Sequence, residues 1–237
     1  MIQNIGRFDW FKFNGTYSTK FDFAVESMTI SVLPERKVQR FSVLGRDGDF
    51  TRSNDTYSPY VATIKGLVPF EASFEPINEW LSGKGDLILS YKSGRRFKAE
   101  ISGEVRPMLL AVCWQLEINL IVQPFEYEAD PQPVELTASG ALYHPGNRWS
   151  LPTITVYGAG MLTIGGQALV IEATAGEDHV VINSDAGKAY YVEENGTLTN
   201  RGGKVTGSFP VLYPGEVGVV LGTGITAVEI DGNWRWF

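Results

Sequence analysis

Val112, Trp114, Leu116, Ile118, Leu120 and Val122 fall at every second position, with Gln115, Glu117 and Asn119 between them. A period of two places the apolar side chains on one face of an extended chain, so the run predicts a half-buried β-strand. At roughly 3.3 Å per residue it extends beyond about 30 Å, well past a usual strand of about 5 or 6 residues, and such length suits a sheet that continues past its own subunit. Upstream, Leu87, Leu89 and Tyr91 alternate with Ile88, Ser90 and Lys92; Ser93-Gly94 interrupts, and Phe97, Ala99 and Ile101 resume the pattern. That is the signature of a hairpin. Met28, Ile30 and Val32 predict a further strand, followed by Phe41, Val43 and a Gly45-Arg-Asp-Gly48 turn. One helix is predicted, from Pro76 to Leu81, with the proline in its first turn and Gly83 ending it.

Beyond Pro133 the texture changes. Turn signals recur every 8 to 12 residues or so, the spacing of a sandwich or barrel. They are Pro145-Gly-Asn147, Gly165-Gly166, Asp185-Ala-Gly187, Asn195-Gly196, Pro214-Gly215 and Asp231-Gly232. Thr153 to Tyr157, Val180 to Asn183 and Ile225 to Ile230 fill the gaps with strand-forming residues. Nine of the 26 glycines lie in the first 130 residues, and two prolines in the acidic stretch Glu126 to Val134 suit an extended linker. The expected fold is all-β with minor α, in two domains, residues 1–133 and 134–237.

Composition narrows the function classes. At 43% apolar residues the 237-residue chain is too apolar for disorder. Cys113 is the only cysteine, which excludes an internal disulfide and a cysteine-based zinc site and reads as an inert sheet residue. No apolar run approaches the roughly 20 residues of a membrane span, and Met1 to Ser18 lacks a basic start followed by an apolar block. A soluble protein made in a cytoplasm, without membrane insertion, is expected. The net charge of −7 opposes stable binding to nucleic acid backbones. The imbalance is uneven: up to Asp130 there are 15 basic and 17 acidic residues, and beyond it 5 and 10.

Candidate chemistry is sparse. Glu193-Glu194, Glu177-Asp178 and Asp47/Asp49 supply carboxylate pairs, as a glycosidase requires, but all lie beside turn glycines where solvated carboxylates are common. No Gly-x-Ser-x-Gly elbow is present, with Ser208 the nearest approach, and His144 and His179 lack partners at metal-ligand spacing. Gly158-Ala-Gly160 and Gly222-Thr-Gly224 lack the third glycine and helix of a phosphate cradle and read as hairpin or bulge glycines. Arg95-Arg96 reads as a solvated strand end. Trp149, Tyr190, Tyr191, Tyr213, Trp234 and Trp236 pose a choice between sandwich core and sugar-stacking platform, with Tyr190, Tyr191 and Trp234 the platform candidates. Trp234 and Trp236 alternate with Asn233, Arg235 and Phe237, as in a closing strand. No catalytic residue, cofactor or metal is expected.

In order along the second half stand His144-Pro-Gly-Asn147, Leu151-Pro152, Ile154-x-Val156-x-Gly158, Val181-Ile-Asn183-Ser184 and Gly207-Ser-Phe-Pro-Val-Leu-Tyr-Pro-Gly215. With Phe11-Lys-Phe-Asn-Gly15, Ser18 and Gly45-Arg-Asp-Gly48 near the start, this succession resembles the distal tail (Dit) proteins of siphophages over nearly the whole chain. Glu216 and Asn183 depart from residues common in relatives. The resemblance implies a tail-tube-like N-terminal domain that closes into a hexameric ring, and a galectin-like C-terminal sandwich. It implies a virion tail-tip location, joining the tail tube to the host-adsorption apparatus. The implied partners are further copies of the chain, the tail-tube protein, and tail-associated or receptor-binding proteins. Arg46 and Asp47, opposite charges at a turn tip, are either an inter-subunit contact or a solvated hairpin end. A major tail-tube subunit and a carbohydrate-binding module are the alternatives.

Overall fold

The computed structural model describes residues 10–237, so the first half of the Met1 to Ser18 stretch lies outside the described residues. The chain divides into two compact units, Met1–Ala129 with Phe237 and Asp130–Trp236.

Unit 1 contains β1 (Phe11–Phe13), β2 (Thr16–Tyr17), β3 (Ala24–Thr29), β4 (Arg36–Ser42), β5 (Asp49–Tyr57), β6 (Tyr60–Pro69), α1 (Phe74–Trp80), β7 (Lys84–Leu89), β8 (Arg95–Ile101), β9 (Arg106–Leu109) and β10 (Cys113–Glu128). One antiparallel sheet runs β2-β1-β7-β8-β10-β6-β3, with β9 also paired to β10. The alternation read from the sequence sets its core face: Leu116, Ile118, Leu120 and Val122 of β10 lie beside Ala62, Ile64 and Val68 of β6, all buried. Removing each large aliphatic side chain from water contributes about 1.5 to 3 kcal/mol. Phe11, Phe13, Phe23 and the Ile77 and Trp80 side chains of α1 complete the cluster. The Trp80 indole stacks on Phe11 and Phe21 at 5.2 and 4.7 Å and donates its N–H to the Phe13 carbonyl at 3.0 Å. Gly66 is required where Phe23 crosses β6, since a Cβ there would lie 2.1 Å from the ring.

Several boundaries differ from the sequence reading. β10 continues to Glu128, taking Pro124 through a bulge between Val122 and Glu126, where a missing N–H breaks no regular ladder. β7 stops at Leu89, and Tyr91 belongs to a 3-10 turn over Ser90–Lys92, although the Ser90 N–H still bonds the Trp10 carbonyl beside β1. β3 starts earlier and ends at Thr29; a bulge between Val25 and Ser27 resets its register, and Val32 is 91% exposed. The helix begins at Phe74, two residues before Pro76.

Unit 2 contains β11 (Val134–Leu136), β12 (Gly140–His144), β13 (Thr153–Gly158), β14 (Gly160–Ile164), β15 (Gln167–Ile171), β16 (His179–Asn183), β17 (Lys188–Val192), β18 (Leu198–Asn200), β19 (Val205–Gly207), β20 (Gly215–Leu221) and β21 (Ile225–Asp231). A six-stranded sheet, β11-β21-β13-β16-β17-β18, packs on a five-stranded one, β12-β20-β14-β15-β19. Ile154, Val156, Ile182, Val228 and Ile230 from the first meet Leu162, Ile164, Leu169, Val217 and Val219 from the second in one core. Gly165 and Gly166, both left-handed, form the two-residue turn between β14 and β15, whose twist matches its strands. The two Gly-x-Gly segments interlock: a Cβ on Gly158 would lie 2.2 Å from the Gly224 carbonyl oxygen, and one on Gly224 would lie 2.3 Å from that of Ala159. The expected closing strand is absent. Asn233 turns left-handed, which breaks the alternation, so Trp234 and Arg235 are both buried, and residues 235 and 236 make isolated bridges in place of a strand, one of them Arg148 to Arg235.

The architecture is all-β with a single α-helix among the described residues.

Candidate functional site

Strands β4 and β5 form a two-stranded sheet of their own, inserted between the sheet neighbours β3 and β6. A bond from the Ser58 N–H to the Glu35 carbonyl at 2.8 Å closes its base, and the Arg36 guanidinium pairs with Asp55, held left-handed in β5. The register brings Phe41 opposite Phe50 and Gln39 opposite Arg52. Every residue of β4 is exposed, with Phe41 and Phe50 at 48% and 52% and Leu44 fully out in solvent. A lone hairpin is at best marginally stable in water, and this one leaves an aromatic pair half in solvent.

Arg46 and Asp47 sit at the tip, both exposed, in a turn closed by the Arg46 N–H to Val43 carbonyl bond at 3.1 Å with left-handed Gly45 and Gly48 around them. The sequence marks these charges as the candidate contact and sets Phe41 and Val43 before the turn; the structure adds that Phe41, Val43, Leu44 and Phe50 all stand exposed beside the tip. The available signal was Phe41, Val43, Leu44 and Phe50 within a charge-rich stretch that follows neither strand nor helix periodicity.

The solvent face of the unit 1 sheet has a different character. Lys65 pairs with Glu117 at 2.8 Å, Lys84 with Glu100 at 3.5 Å, and the Thr63 hydroxyl donates to Asn119 at 2.8 Å. Lys65 holds the Glu117 carboxyl below its usual range. Arg96 is no solvated strand end: it forks onto both Asp86 oxygens at 3.1 Å and donates to the Glu128 carbonyl, because β7 and β10 flank it.

In unit 2 the three platform residues do not share a surface. Trp234 is 7% exposed, packed against His144 in the core, while Tyr190 and Tyr191 are half-buried neighbours on β17. Tyr191 lies 4.9 Å from His179, which lies 5.8 Å from Tyr157. Burial first, then Asp178, Glu177, Glu194 and Glu193, push the Tyr191 hydroxyl pKa up. Of the acidic pairs, Glu177-Asp178 is tied down locally. Glu177 is forked by Arg201, and Asp178 holds His179 at 2.7 Å; both carboxyls are drawn below their usual range by these partners. A general acid needs the opposite shift. Among the described residues no three His, Cys, Asp or Glu side chains converge as a metal site requires.

No protein-family model matches the sequence, and no curated protein matches it. Among solved structures, the chain matches the crystal structure of the Dit protein of SPP1, described as a paradigm of the hub adsorption apparatus in phages infecting Gram-positive bacteria. The match covers 94% of this chain and 98% of that one, with a TM-score of 0.68 at 14% sequence identity. At that identity the likeness speaks for the fold: this chain has the Dit fold, as its sequence landmarks led us to expect.

Proposed function

We propose that the chain is a non-enzymatic structural component of a phage tail tip, six copies of which close into a ring joining the tail tube to the host-adsorption apparatus. In this reading residues 1–133 form the ring, and residues 134–237 are a galectin-like sandwich directed at tail-associated or receptor-binding proteins. The observation that carries it is the β4–β5 hairpin, exposed over all of β4 and apolar near its tip. A protruding patch that fits a different patch on an identical neighbour makes a heterologous contact, which closes into a ring when its rotation divides the circle evenly. Six comes from the family likeness.

The test is negative-stain microscopy with light scattering on the full chain. Closed rings of six support the proposal. Long filaments identify a tube subunit instead, and isolated particles at high concentration overturn the ring.

A further inference from the structure

The register of β6 and β10 gives unit 1 two distinct ends. Tyr60 stands opposite Val122 and Pro69 opposite Cys113, so the β4–β5 ribbon, which leads into β6 at Tyr60, is rooted at one end and the β9–β10 turn lies at the other. That second end is apolar as well. From Pro107 to Leu116 the chain carries no charged residue. Met108, Leu109 and Phe70 are each more than half exposed, Leu110 is 37% exposed and Val112 80%. Trp114 holds this patch rigid: it stacks on Phe70 at 6.2 Å, takes Phe74 of α1 edge-on at 5.4 Å, and donates its indole N–H to the Phe70 carbonyl at 3.1 Å. Charges stay at the margin. Arg106 pairs with Glu104 at 2.7 Å, the Gln115 amide donates to Glu26 at 2.8 Å, and Glu71, next to Phe70, shares a groove with Lys20 and Asp22 without an ion pair.

We propose that the apolar tip of the β4–β5 ribbon in one copy seats on this end of unit 1 in the next, the two patches being the halves of a single contact. Resting on the ring reading, this contact supplies the surface that the ribbon meets. Length fits it. β5 has nine residues and β6 ten, about 30 Å each at roughly 3.3 Å per residue, so a ribbon rooted at one end and laid beside a neighbouring sheet reaches that sheet's far end. Area fits it too: each patch offers on the order of 500 Å² of apolar surface, and covering both removes roughly 1,000 Å² from water, the size a specific interface requires. Up to Asp130 the chain holds 15 basic and 17 acidic residues, so copies that meet through unit 1 repel little. Arg46 at the ribbon tip, unpaired in its own chain, supplies the cation that Glu71 lacks. Because the halves differ, each copy offers one to either neighbour, as a closing ring requires.

Cys113, the only cysteine, adjoins Val112 and is partly exposed, which makes the contact directly testable. Leu44→Cys places a second thiol at the ribbon tip. Treated with a flexible bis-maleimide and run on a denaturing gel, the full-length Leu44→Cys chain should give a ladder of linked copies. The unsubstituted chain, Leu44→Cys/Cys113→Ser, and Thr155→Cys, whose new thiol lies on unit 2, should each stay single. Adding Leu109→Glu and Val112→Glu to Leu44→Cys should remove the ladder with the circular dichroism unchanged. Rings in the microscope without a ladder from Leu44→Cys overturn this contact and leave the ring standing. A ladder without rings upholds the contact and overturns the ring. Linked copies from Cys113 alone or from Leu44→Cys/Cys113→Ser show like meeting like and overturn the contact, as does an equal ladder from Thr155→Cys.

Discussion

The imidazole of His144 packs on the indole of Trp234 with ring centres 4.6 Å apart, and its Nδ1 accepts the Gly146 N–H at 3.0 Å. The ring is thereby fixed as the neutral tautomer with the proton on Nε2, an atom with no hydrogen-bond partner. Burial pulls its pKa below the ordinary 6.5. The unfolded chain therefore takes up the proton first as pH falls, so His144 leaves stability intact above about pH 6.5 and erodes it below, down through the folded-state pKa. Urea melts from pH 8 to pH 5 should show unit 2 losing stability in the lower half of that range, and His144→Phe should flatten the loss. The pairs Glu177–Arg201 and Asp178–His179 add a separate loss at lower pH, as those depressed carboxyls protonate. Equal slopes for the parent and His144→Phe between pH 7 and 5.5 would refute the assignment.

The interlocked glycines make a sharper test of packing. Gly158 has φ +89° and a carbonyl oxygen 2.2 Å from where its Cβ would be. Gly158→Ala should destabilise unit 2 by about 2 to 4 kcal/mol, combining backbone strain with a clash against rigid backbone. Gly203→Ala, with ordinary φ and nothing within 4 Å, should stay within about 0.5 kcal/mol of the parent. Thermal melts of both variants compare them directly.

Glu135 stands directly across from Glu229 between β11 and β21. Like charges in a cross-strand pair work against the sheet, so Glu229→Lys should raise stability by about 0.5 kcal/mol. The gain should shrink in high salt. A change that does not depend on salt would point to packing instead.

For the hairpin, replacing Phe41 and Phe50 together by Ser should abolish rings while leaving the circular dichroism and melting of the chain unchanged, since neither ring belongs to the unit 1 core. The charge swap Arg46→Glu/Asp47→Lys should have the smaller effect, an exposed ion contact contributing about 0.2 to 1 kcal/mol. If the swap dissolves rings and the aromatic pair does not, the tip charges carry the contact.

Much of the fold was legible because one rule governs most of it. Where a strand has a dry face and a wet face, as β10 has with Leu116, Ile118, Leu120 and Val122, period-two alternation reports burial directly. The rule is silent where both faces share a character. Lys37 to Ser42 show no alternation because that ribbon is wet on both sides, and the runs around Met161 and Val170 read as strands without revealing that their outward residues are apolar and exposed. Single residues decided the remaining misses. A left-handed Asn233 ended the last alternation, and Asp86, just outside the predicted alternation that begins at Leu87, turned Arg96 from a solvent residue into a cross-strand anchor.

The order in which unit 1 is synthesised gives β10 a further consequence. Among the described strands, β2, β1, β7 and β8 form one paired set and β3 and β6 another, and β10 alone is hydrogen-bonded to both. It is also the last strand of the unit to be made. Until Cys113–Glu128 has left the ribosome, β6 and β8 each present a bare edge that no earlier strand covers. The nascent unit therefore waits as two half-sheets, and its closure is a late, single event that joins contacts distant in the chain. A pause or truncation ahead of Cys113 strands the protein with both edges open, the state from which strand exchange between copies and aggregation proceed.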